Sequence, residues 1–253
     1  MNQIQNSKER FSNRVENYIK YRPGYPKEII TFLSEEINFN SFWIVADIGS
    51  GTGILSKLFL DNGNFVFCVE PNNEMRKAGE QQLSNYTHFK SINGSSENTV
   101  LETSSIDLIS AGQAFHWFDV QKSREEFKRI LKKKGYVSLI CNNRKTTTSK
   151  FLREYENLLI NFSVDYKLVD HKNVNEKILS GFFNSYELKT FSNYQIFNFE
   201  ELKGRLLSSS YAPMPEQSGY KQMIERLKRI FNQNKIDGKV KIEYDTELYY
   251  GIL

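Results

Sequence analysis

Residues 45–53, which read Val-Ala-Asp-Ile-Gly-Ser-Gly-Thr-Gly, constrain the fold more than any other segment. Residues 42–46 form an apolar run, which predicts a strand buried on both faces of a parallel sheet. After the glycines, apolar residues at helical spacing predict a helix of about ten residues that ends at Gly63. The glycines therefore lie in a strand-to-helix turn, where a ligand can contact bare backbone and a helix N-terminus.

The spacing of the glycines decides which ligand the turn suits. A dinucleotide fingerprint needs a glycine at position 54, where this chain has Ile54. A phosphate-binding P-loop needs a Lys-Ser or Lys-Thr pair, and none follows here. Gly49, Gly51 and Gly53 alternate instead, and Asp47 stands two residues before the first. A tight turn without any ligand stays open as an alternative at this point.

Length and composition fit a water-soluble globular protein. With 253 residues, the chain can form one large α/β domain or a core with a lid. The net charge of +4 is small, and we expect the densest basic run, residues 132–134, to lie at a helix end, where the dipole favours cations. We therefore expect no nucleic-acid partner. Cys68 and Cys141 lie in separate apolar runs without neighbouring ligands, which argues against a disulfide and against a metal site.

The N-terminal ten residues are polar, and no apolar run approaches the length of a membrane span. These features predict a cytoplasmic protein with no membrane partner, either a monomer or a homodimer.

Residues 64–70 form a second apolar strand that ends in a carboxylate, Glu70. A carboxylate at the end of this strand can accept hydrogen bonds from both hydroxyls of a ribose. Residues 105–110 form a further strand that leads into the segment 111–119, which contains Phe115, His116, Trp117 and Phe118. Since ligands of open α/β sheets bind at the carboxyl ends of strands, this aromatic segment faces the same crevice as the glycine turn.

Three motifs resemble those of the class I S-adenosylmethionine-dependent methyltransferases. Asp-x-Gly-x-Gly-x-Gly resembles motif I, Glu70-Pro71-Asn72 resembles motif II, and Gln-Ala-Phe-His-Trp-Phe resembles a signature of the trans-aconitate-methyltransferase-like (type 11) subfamily. The resemblance implies S-adenosyl-L-methionine as cofactor, S-adenosyl-L-homocysteine as product and no metal. It also implies a Rossmann-like, doubly wound α/β fold with seven strands in the order 3-2-1-4-5-7-6, the last strand antiparallel.

The resemblance also implies a set of cofactor-binding residues. Ser95 stands where the family often has an acid, and Met75 fits either the adenine site or the core. Arg22 can pair with the carboxylate of the methionine part or with an acidic substrate, and an ordinary surface arginine is the alternative. The full set is Asp47, Gly49, Ser50, Gly51, Gly53, Glu70, Pro71, Met75, Ser95, Ser96, Glu97, Gln113, Tyr21 and Arg22.

For the acceptor, we expect contacts from Tyr18, His116, Trp117, Phe118 and Tyr211. His116 is the candidate general base, and an ordinary place in the cavity wall is the competing interpretation. A carboxylate acceptor needs no base, whereas a hydroxyl or a protonated amine does.

Beyond residue 142 the α/β alternation weakens. Apolar residues at helical spacing predict a helical lid over residues 145–185. The lid is inserted between two parts of the core. Residues 1–144 hold the N-terminal helices and the cofactor-binding core, and residues 186–253 complete the sheet. Residues 186–197 and 239–248 alternate as strands, the second of them antiparallel.

The leading hypothesis is methyl transfer to a small molecule, with a carboxylate as one candidate acceptor. Methylation of a protein or tRNA, and a non-catalytic protein that binds S-adenosylmethionine, remain alternatives. A dehydrogenase is disfavoured because Ile54 replaces the required glycine.

Overall fold

A computed structural model describes residues 14–163, 166 and 175–253. Within these residues, seven strands form one sheet in the order β3-β2-β1-β4-β5-β7-β6. The strands are β1 (Ile44–Ile48), β2 (Phe65–Val69), β3 (Phe89–Ile92), β4 (Ile106–Gly112), β5 (Leu131–Arg144), β6 (Ser185–Phe197) and β7 (Val240–Ile252). The five strands β3, β2, β1, β4 and β5 lie side by side in this order, and each pairs in parallel with its neighbours. Strand β7 runs antiparallel to both β5 and β6. The predicted α/β class, strand order and reversed strand are confirmed.

Nine α-helices and one short 3-10 helix connect these strands in the described part of the chain. The 3-10 helix spans Phe115–Trp117 and follows β4. The α-helices are α1 (Val15–Tyr21), α2 (Glu28–Ile37), α3 (Ile54–Asp61), α4 (Asn73–Gln82), α5 (Val120–Ile130), α6 (Lys150–Phe162), α7 (Glu176–Phe182), α8 (Phe199–Leu207) and α9 (Tyr220–Asn234).

Hydrophobic packing covers both faces of the sheet. Apolar side chains of α2 and α3 pack on one face together with Val45 of β1. Side chains of α5 and α7 pack on the other face with Ala46, the next residue of the same strand. Because successive strand residues point to opposite faces, a strand buried on both sides needs apolar residues at consecutive positions, as Val45 and Ala46 provide in β1.

A third hydrophobic cluster lies beside the sheet and joins α6, α8 and α9 to β7. The two helices of the predicted lid therefore pack in different places, since α6 belongs to this cluster and α7 contacts α5 through Phe182 and Phe127. Phe182 also lies edge-on to Phe115, with ring centroids 4.8 Å apart. Residues 164, 165 and 167–174, which include His171, lie outside the described residues. The three predicted domain ranges stay a prediction.

The predicted start of β1 was wrong at Phe42. Its side chain is 93% exposed, and β1 begins at Ile44. The Asn40 carbonyl accepts from the Trp43 N–H at 3.1 Å, and its side chain accepts from the Phe42 N–H at 3.0 Å. These bonds close a turn that directs the Phe42 ring outward, which an apolar run alone does not reveal.

The predicted end of α5 was wrong as well. The helix ends at Ile130 rather than at Gly135, and residues 132–134 lie in β5 rather than at a helix end. The register between β4 and β5 shifts here, because Ile106 pairs with Leu131 while Leu108 pairs with Tyr136. Lys132 bonds the Asp107 carboxylate at 2.7 Å across this bulge.

No helix in the described ranges is both long and apolar enough to cross a bilayer.

Candidate functional site

A cavity of about 120 Å³ lies at the carboxyl ends of β1, β4 and β5. Asp47, Gly49 and Ser50 of the glycine turn line one side of it, beside Gln113. The remaining sequence-predicted residues in its lining are Tyr18, Arg22, His116, Trp117 and Tyr211. The structure thus brings nine of the predicted site residues into one cavity.

The glycine turn leaves no room for side chains at Gly49, which lines this cavity, or at Gly51, which lies just outside it. Gly49 has φ +70°, and a Cβ there would lie 2.7 Å from the Ala114 Cβ. Gly51 has φ +57°, and its Cβ would lie 3.3 Å from the Met75 Cε. Both backbone angles are left-handed, a conformation that favours glycine. The turn therefore presents bare backbone, as the sequence predicted.

Glu70 follows β2 and lies against the same turn. Its Oε2 accepts a hydrogen bond from the Gly51 N–H at 2.9 Å, and its Oε1 accepts from the Asn72 N–H at 2.7 Å. Burial raises the pKa of this carboxyl, although both hydrogen bonds oppose the change. Two backbone donors thus fix its orientation and leave lone pairs for further donors.

Asp47 lies in β1 and is fully buried. Its Oδ2 accepts from the Ser56 hydroxyl at 2.5 Å, while its Oδ1 has no hydrogen-bond partner among the described residues. Burial raises the pKa of Asp47 to about 7, and the nearby Glu70 carboxyl contributes in the same direction. A buried acceptor without a partner is costly, so the wall at Asp47 suits a ligand that donates a hydrogen bond or carries positive charge.

The lining of this cavity also includes three arginines from different elements. Arg22 follows α1, Arg144 ends β5, and Arg205 lies in α8. We call them the arginine wall. Sequence reasoning named Arg22 and missed the other two. The position of Arg144 at a strand's carboxyl end was a usable signal, but Arg205 sits in an amphipathic helix that offered none.

Each arginine is held by hydrogen bonds or an ion pair to neighbouring residues. Arg144 pairs with the Glu156 carboxylate and donates to the Tyr166 hydroxyl at 3.0 Å. The Arg205 Nε donates to the Tyr244 hydroxyl at 3.3 Å. The Arg22 Nη2 donates to the carbonyl of Ser208 at 2.9 Å.

Not every N–H of the arginine wall is used. The Arg22 Nε and the Arg144 Nη1 are buried and have no hydrogen-bond partner within the described part of the chain. Burial and the nearby positive charge of Arg205 lower the pKa of Arg22. This wall therefore carries positive charge that the described residues do not fully balance.

The 3-10 helix supplies His116 and Trp117, whose ring centroids are 4.7 Å apart. Gln113 precedes it with φ +54° and donates through Nε2 to the carbonyl of Asn142 at 3.0 Å. Phe118 does not line the cavity. It packs edge-on against Phe115, with ring centroids 5.9 Å apart, and lies beneath Gly49.

The remaining predicted cofactor residues lie outside this cavity. Pro71 precedes α4 in the sequence, and Met75 of α4 borders Gly51. Ser95 bridges to Asn98, and the Glu97 carboxylate accepts from the Ser96 hydroxyl at 2.8 Å and from the Asp119 N–H at 3.1 Å. The Tyr21 ring packs on Gly204 of α8. The residues outside the cavity are Gly51, Gly53, Glu70, Pro71, Met75, Ser95, Ser96, Glu97, Tyr21 and Phe118.

The turn that follows α1 is anchored over the cavity. The Gly24 carbonyl accepts from the Asn142 side chain at 3.2 Å and from the Asn193 side chain at 2.9 Å. The Gln195 amide donates to the Tyr21 carbonyl at 3.1 Å. Strands β5 and β6 therefore fix the position from which Tyr18 and Arg22 reach the cavity.

Among the described residues, no group of three or more His, Cys, Asp or Glu side chains can hold a metal ion.

Comparison with known proteins agrees with these features. A family profile described as a methyltransferase domain matches residues 46–139. An uncharacterised methyltransferase of Schizosaccharomyces pombe is 25% identical over 240 residues, which cover 94% of this chain and 84% of that protein. An uncharacterised methyltransferase of Mycobacterium tuberculosis is 31% identical over 134 residues, which cover 53% of this chain and 52% of the relative.

Solved structures share the fold at lower identity. A protein from Anaeromyxobacter dehalogenans, proposed to be a type II methyltransferase, superimposes with a TM-score of 0.66 at 15% identity, over 92% of this chain and 98% of its own. A phosphoethanolamine N-methyltransferase of Haemonchus contortus, bound to phosphomonomethylethanolamine and S-adenosylhomocysteine, superimposes with a TM-score of 0.56 at 14% identity. The match covers 98% of this chain and 59% of that chain.

Proposed function

We propose that this chain is a class I S-adenosylmethionine-dependent methyltransferase of the type 11 family and that it methylates a small-molecule acceptor that bears a carboxylate. One observation carries the choice of acceptor: a single cavity is lined by a carboxylate, Asp47, next to the glycine turn and by three guanidiniums. A cationic methyl donor suits the carboxylate, and an anionic acceptor suits the guanidiniums.

The residues around the glycine turn fit S-adenosylmethionine. The partnerless Oδ1 of Asp47 suits the ammonium group of the methionine part, and Gly49 and Gly51 allow a ligand to contact backbone that carries no side chain. Glu70, fixed by two backbone N–H groups, suits the ribose hydroxyls. We propose these residues, together with Ser50 and Gln113, as the cofactor site.

When bound, the cofactor supplies an electrophilic methyl group on a good leaving group. The protein then has to hold an acceptor atom in line with that methyl group and to exclude water. For a carboxylate acceptor, the negative charge of the acceptor and the positive charge of the donor cancel as the bond forms. Exclusion of water does not oppose such a reaction, whereas it opposes one that creates charge.

Under this proposal, His116 and Trp117 position the acceptor next to the glycine turn. They follow Ala114, which abuts Gly49, so they lie on the donor side of the cavity. A carboxylate is already deprotonated at neutral pH, and His116 therefore has no proton to remove. The small net charge and the scattered lysines favour a small molecule over nucleic acid.

Two measurements test the proposal in sequence. Calorimetry should detect binding of S-adenosylhomocysteine and none of NAD, and the absence of S-adenosylhomocysteine binding would contradict the cofactor assignment. A screen with methyl-labelled S-adenosylmethionine should then compare carboxylic acids, amines, phenols and thiols at equal concentration. We expect base-labile methyl esters from the acids. Label that appears only in amines, phenols or thiols would contradict the carboxylate acceptor.

A further inference from the structure

We propose that the arginine wall, Arg22, Arg144 and Arg205, binds an anionic group of the acceptor other than the group that is methylated. The acceptor then carries at least two anionic groups, one that reacts and one that the arginines hold. This inference rests on the proposed function and specifies the substrate class of the same cavity.

The first step is that the three guanidiniums form one cluster. They come from α1, β5 and α8, which are far apart in sequence, and all three line the cavity. All three share this lining with Tyr211. Tyr166 extends this group, because its ring lies 4.9 Å from that of Tyr211, measured between centroids.

The second step concerns charge. In the described residues, Glu156 is the carboxylate that pairs with this wall, through Arg144. Three guanidiniums and one carboxylate leave a net charge of +2 there. The Arg144 side chain is only 9% exposed and Arg205 is buried, so water screens this charge poorly. A cluster of this kind favours an anionic ligand, because a buried charge without a compensating partner is unfavourable.

The third step is the supply of donors. The Arg22 Nε and the Arg144 Nη1 are buried without a partner among the described residues, so at least two N–H groups remain for a ligand. Guanidinium groups bind carboxylate and phosphate oxygens in pairs of parallel hydrogen bonds. The aromatic neighbours restrain the fork geometry, since the Arg22 guanidinium lies 4.9 Å from the Tyr18 ring centroid and that of Arg144 lies 5.1 Å from Tyr155.

The last step separates the held group from the reacting group. An oxygen that accepts strong hydrogen bonds from guanidinium donates its lone pairs less readily, so it is a poor nucleophile. His116 and Trp117 follow Ala114, whose Cβ borders Gly49, whereas Arg205 belongs to α8 and contacts Tyr244, Ser208 and Ser209. The arginine wall therefore orients the acceptor through one anionic group and leaves a second group for the methyl donor.

The held group is either a carboxylate or a phosphate, because both present paired oxygens, and the experiment distinguishes them. Binding to the protein saturated with S-adenosylhomocysteine should be measured at pH 8 for fumarate, crotonate and inorganic phosphate. Fumarate and crotonate have similar shapes but carry two and one negative charges. We expect at least one dianion to bind ten times or more tightly than crotonate. Tighter fumarate indicates a dicarboxylate acceptor, and tighter phosphate indicates a phosphomonoester.

Variants with opposite expected effects exclude simple structural damage. Glu156→Gln removes the competing carboxylate and should tighten binding of the preferred dianion at least threefold. The double variant Arg144→Gln/Glu156→Gln leaves no unpaired acid and should weaken it at least tenfold. Arg229→Gln, an exposed residue of α9, makes the same charge change elsewhere and should have no effect.

S-adenosylhomocysteine affinity, measured in every variant, separates this inference from the proposed function. If the wild type does not bind S-adenosylhomocysteine, the proposed function fails. If it binds, but crotonate matches both dianions or Glu156→Gln fails to tighten binding, only the inference is overturned. A loss of S-adenosylhomocysteine affinity in the double variant equal to the loss of dianion affinity would assign the arginines to the cofactor and overturn it as well.

Discussion

The Gly51 N–H donates to the Glu70 Oε2 at 2.9 Å, which ties the glycine turn after β1 to the carboxylate that ends β2. This bond connects two of the motifs recognised in the sequence, although 19 residues separate them. It fixes the carboxylate before any ligand binds. A ligand that uses both the turn and Glu70 therefore meets a site that needs little ordering on binding.

The first prediction concerns Glu70. We expect Glu70→Ala to weaken S-adenosylhomocysteine binding by about 1.5–3 kcal/mol, or roughly 10- to 150-fold, because a charged hydrogen-bond partner of the ligand is lost. Glu74→Ala, on the exposed side of α4, is the matched control and should bind normally. Calorimetry gives both values, and normal affinity in a folded Glu70→Ala protein would remove Glu70 from the site.

A second prediction separates backbone strain from ligand contact. Gly51 and Gly238 both have left-handed backbones, with φ +57° and +75°, but a Cβ at Gly238 would meet nothing within 4 Å. Alanine at either position should lower the free energy of unfolding by about 1–2 kcal/mol through strain. Only Gly51→Ala should also weaken S-adenosylhomocysteine, at least tenfold, because its methyl group occupies space beside the ligand. Equal affinities would make the turn purely structural.

The donor side of the site could be predicted from sequence because its residues follow the ends of recognisable strands. Asp47, Gly49 and His116 stand at fixed short distances from apolar runs, so the topology rule brings them together. The arginine wall could not be predicted in the same way. Arg205 reaches the cavity only because α8 packs beside β7 in the third hydrophobic cluster, and that packing depends on contacts between distant segments.

The errors in the fold prediction have the same origin. Apolarity placed Phe42 in a strand, but two hydrogen bonds to Asn40 turn the chain outward there. The Gly135 signal suggested a helix end, whereas the glycine lies in the bulge of β5, where a Cβ would contact the Leu131 side chain at 2.7 Å. Local composition indicates that the chain turns or bulges at a position. Whether it forms a turn, a helix end or a β-bulge there depends on contacts with neighbouring segments.

A third prediction tests the anchor of the turn after α1. Asn142 is buried and bonds Gly24, Thr246 and Asn193 through its side chain. We expect Asn142→Ala to lower the free energy of unfolding by about 1–3 kcal/mol, because buried partners lose their hydrogen bonds. Asn193→Ala should cost less than half as much, since water can replace its more exposed amide. Urea unfolding gives both values, and an equal loss would contradict the buried anchor.

A fourth prediction follows from Asp47, whose pKa burial raises to about 7 in the folded protein. A raised carboxyl pKa stabilises the folded state at low pH, and this contribution is lost as the pH rises from about 4 to 7. Glu70, Cys68 and Tyr25 lie near this carboxyl, and none of them carries positive charge. We therefore expect the unliganded protein to become less stable across that range, and Asp47→Asn to reduce the slope of the free energy of unfolding against pH.

The same group should couple cofactor binding to a proton. A ligand with an ammonium group favours ionised Asp47, so its affinity should fall about tenfold per pH unit below pH 7. Methylthioadenosine has no ammonium group and should bind with little pH dependence, as should S-adenosylhomocysteine to Asp47→Asn. Calorimetry in two buffers of different ionisation enthalpy counts the released proton. Equal pH profiles for the two ligands would show that Asp47 does not face the ammonium group.

The last prediction concerns His116 and distinguishes the acceptor classes. Any acceptor found in the methyl-transfer screen should be assayed at saturating cofactor, so that the titration of Asp47 does not affect the rate. For a carboxylate acceptor, we expect His116→Ala to lower kcat only about tenfold through lost positioning, with a flat profile between pH 6 and 8. For a hydroxyl acceptor, the loss should be about 10²- to 10⁴-fold, and wild-type kcat should fall as the imidazole is protonated. His88→Ala is the control, because His88 bonds the Gly63 carbonyl outside the cavity and should leave kcat unchanged. A large, pH-dependent loss on a carboxylate would contradict the positioning role and make His116 a general base.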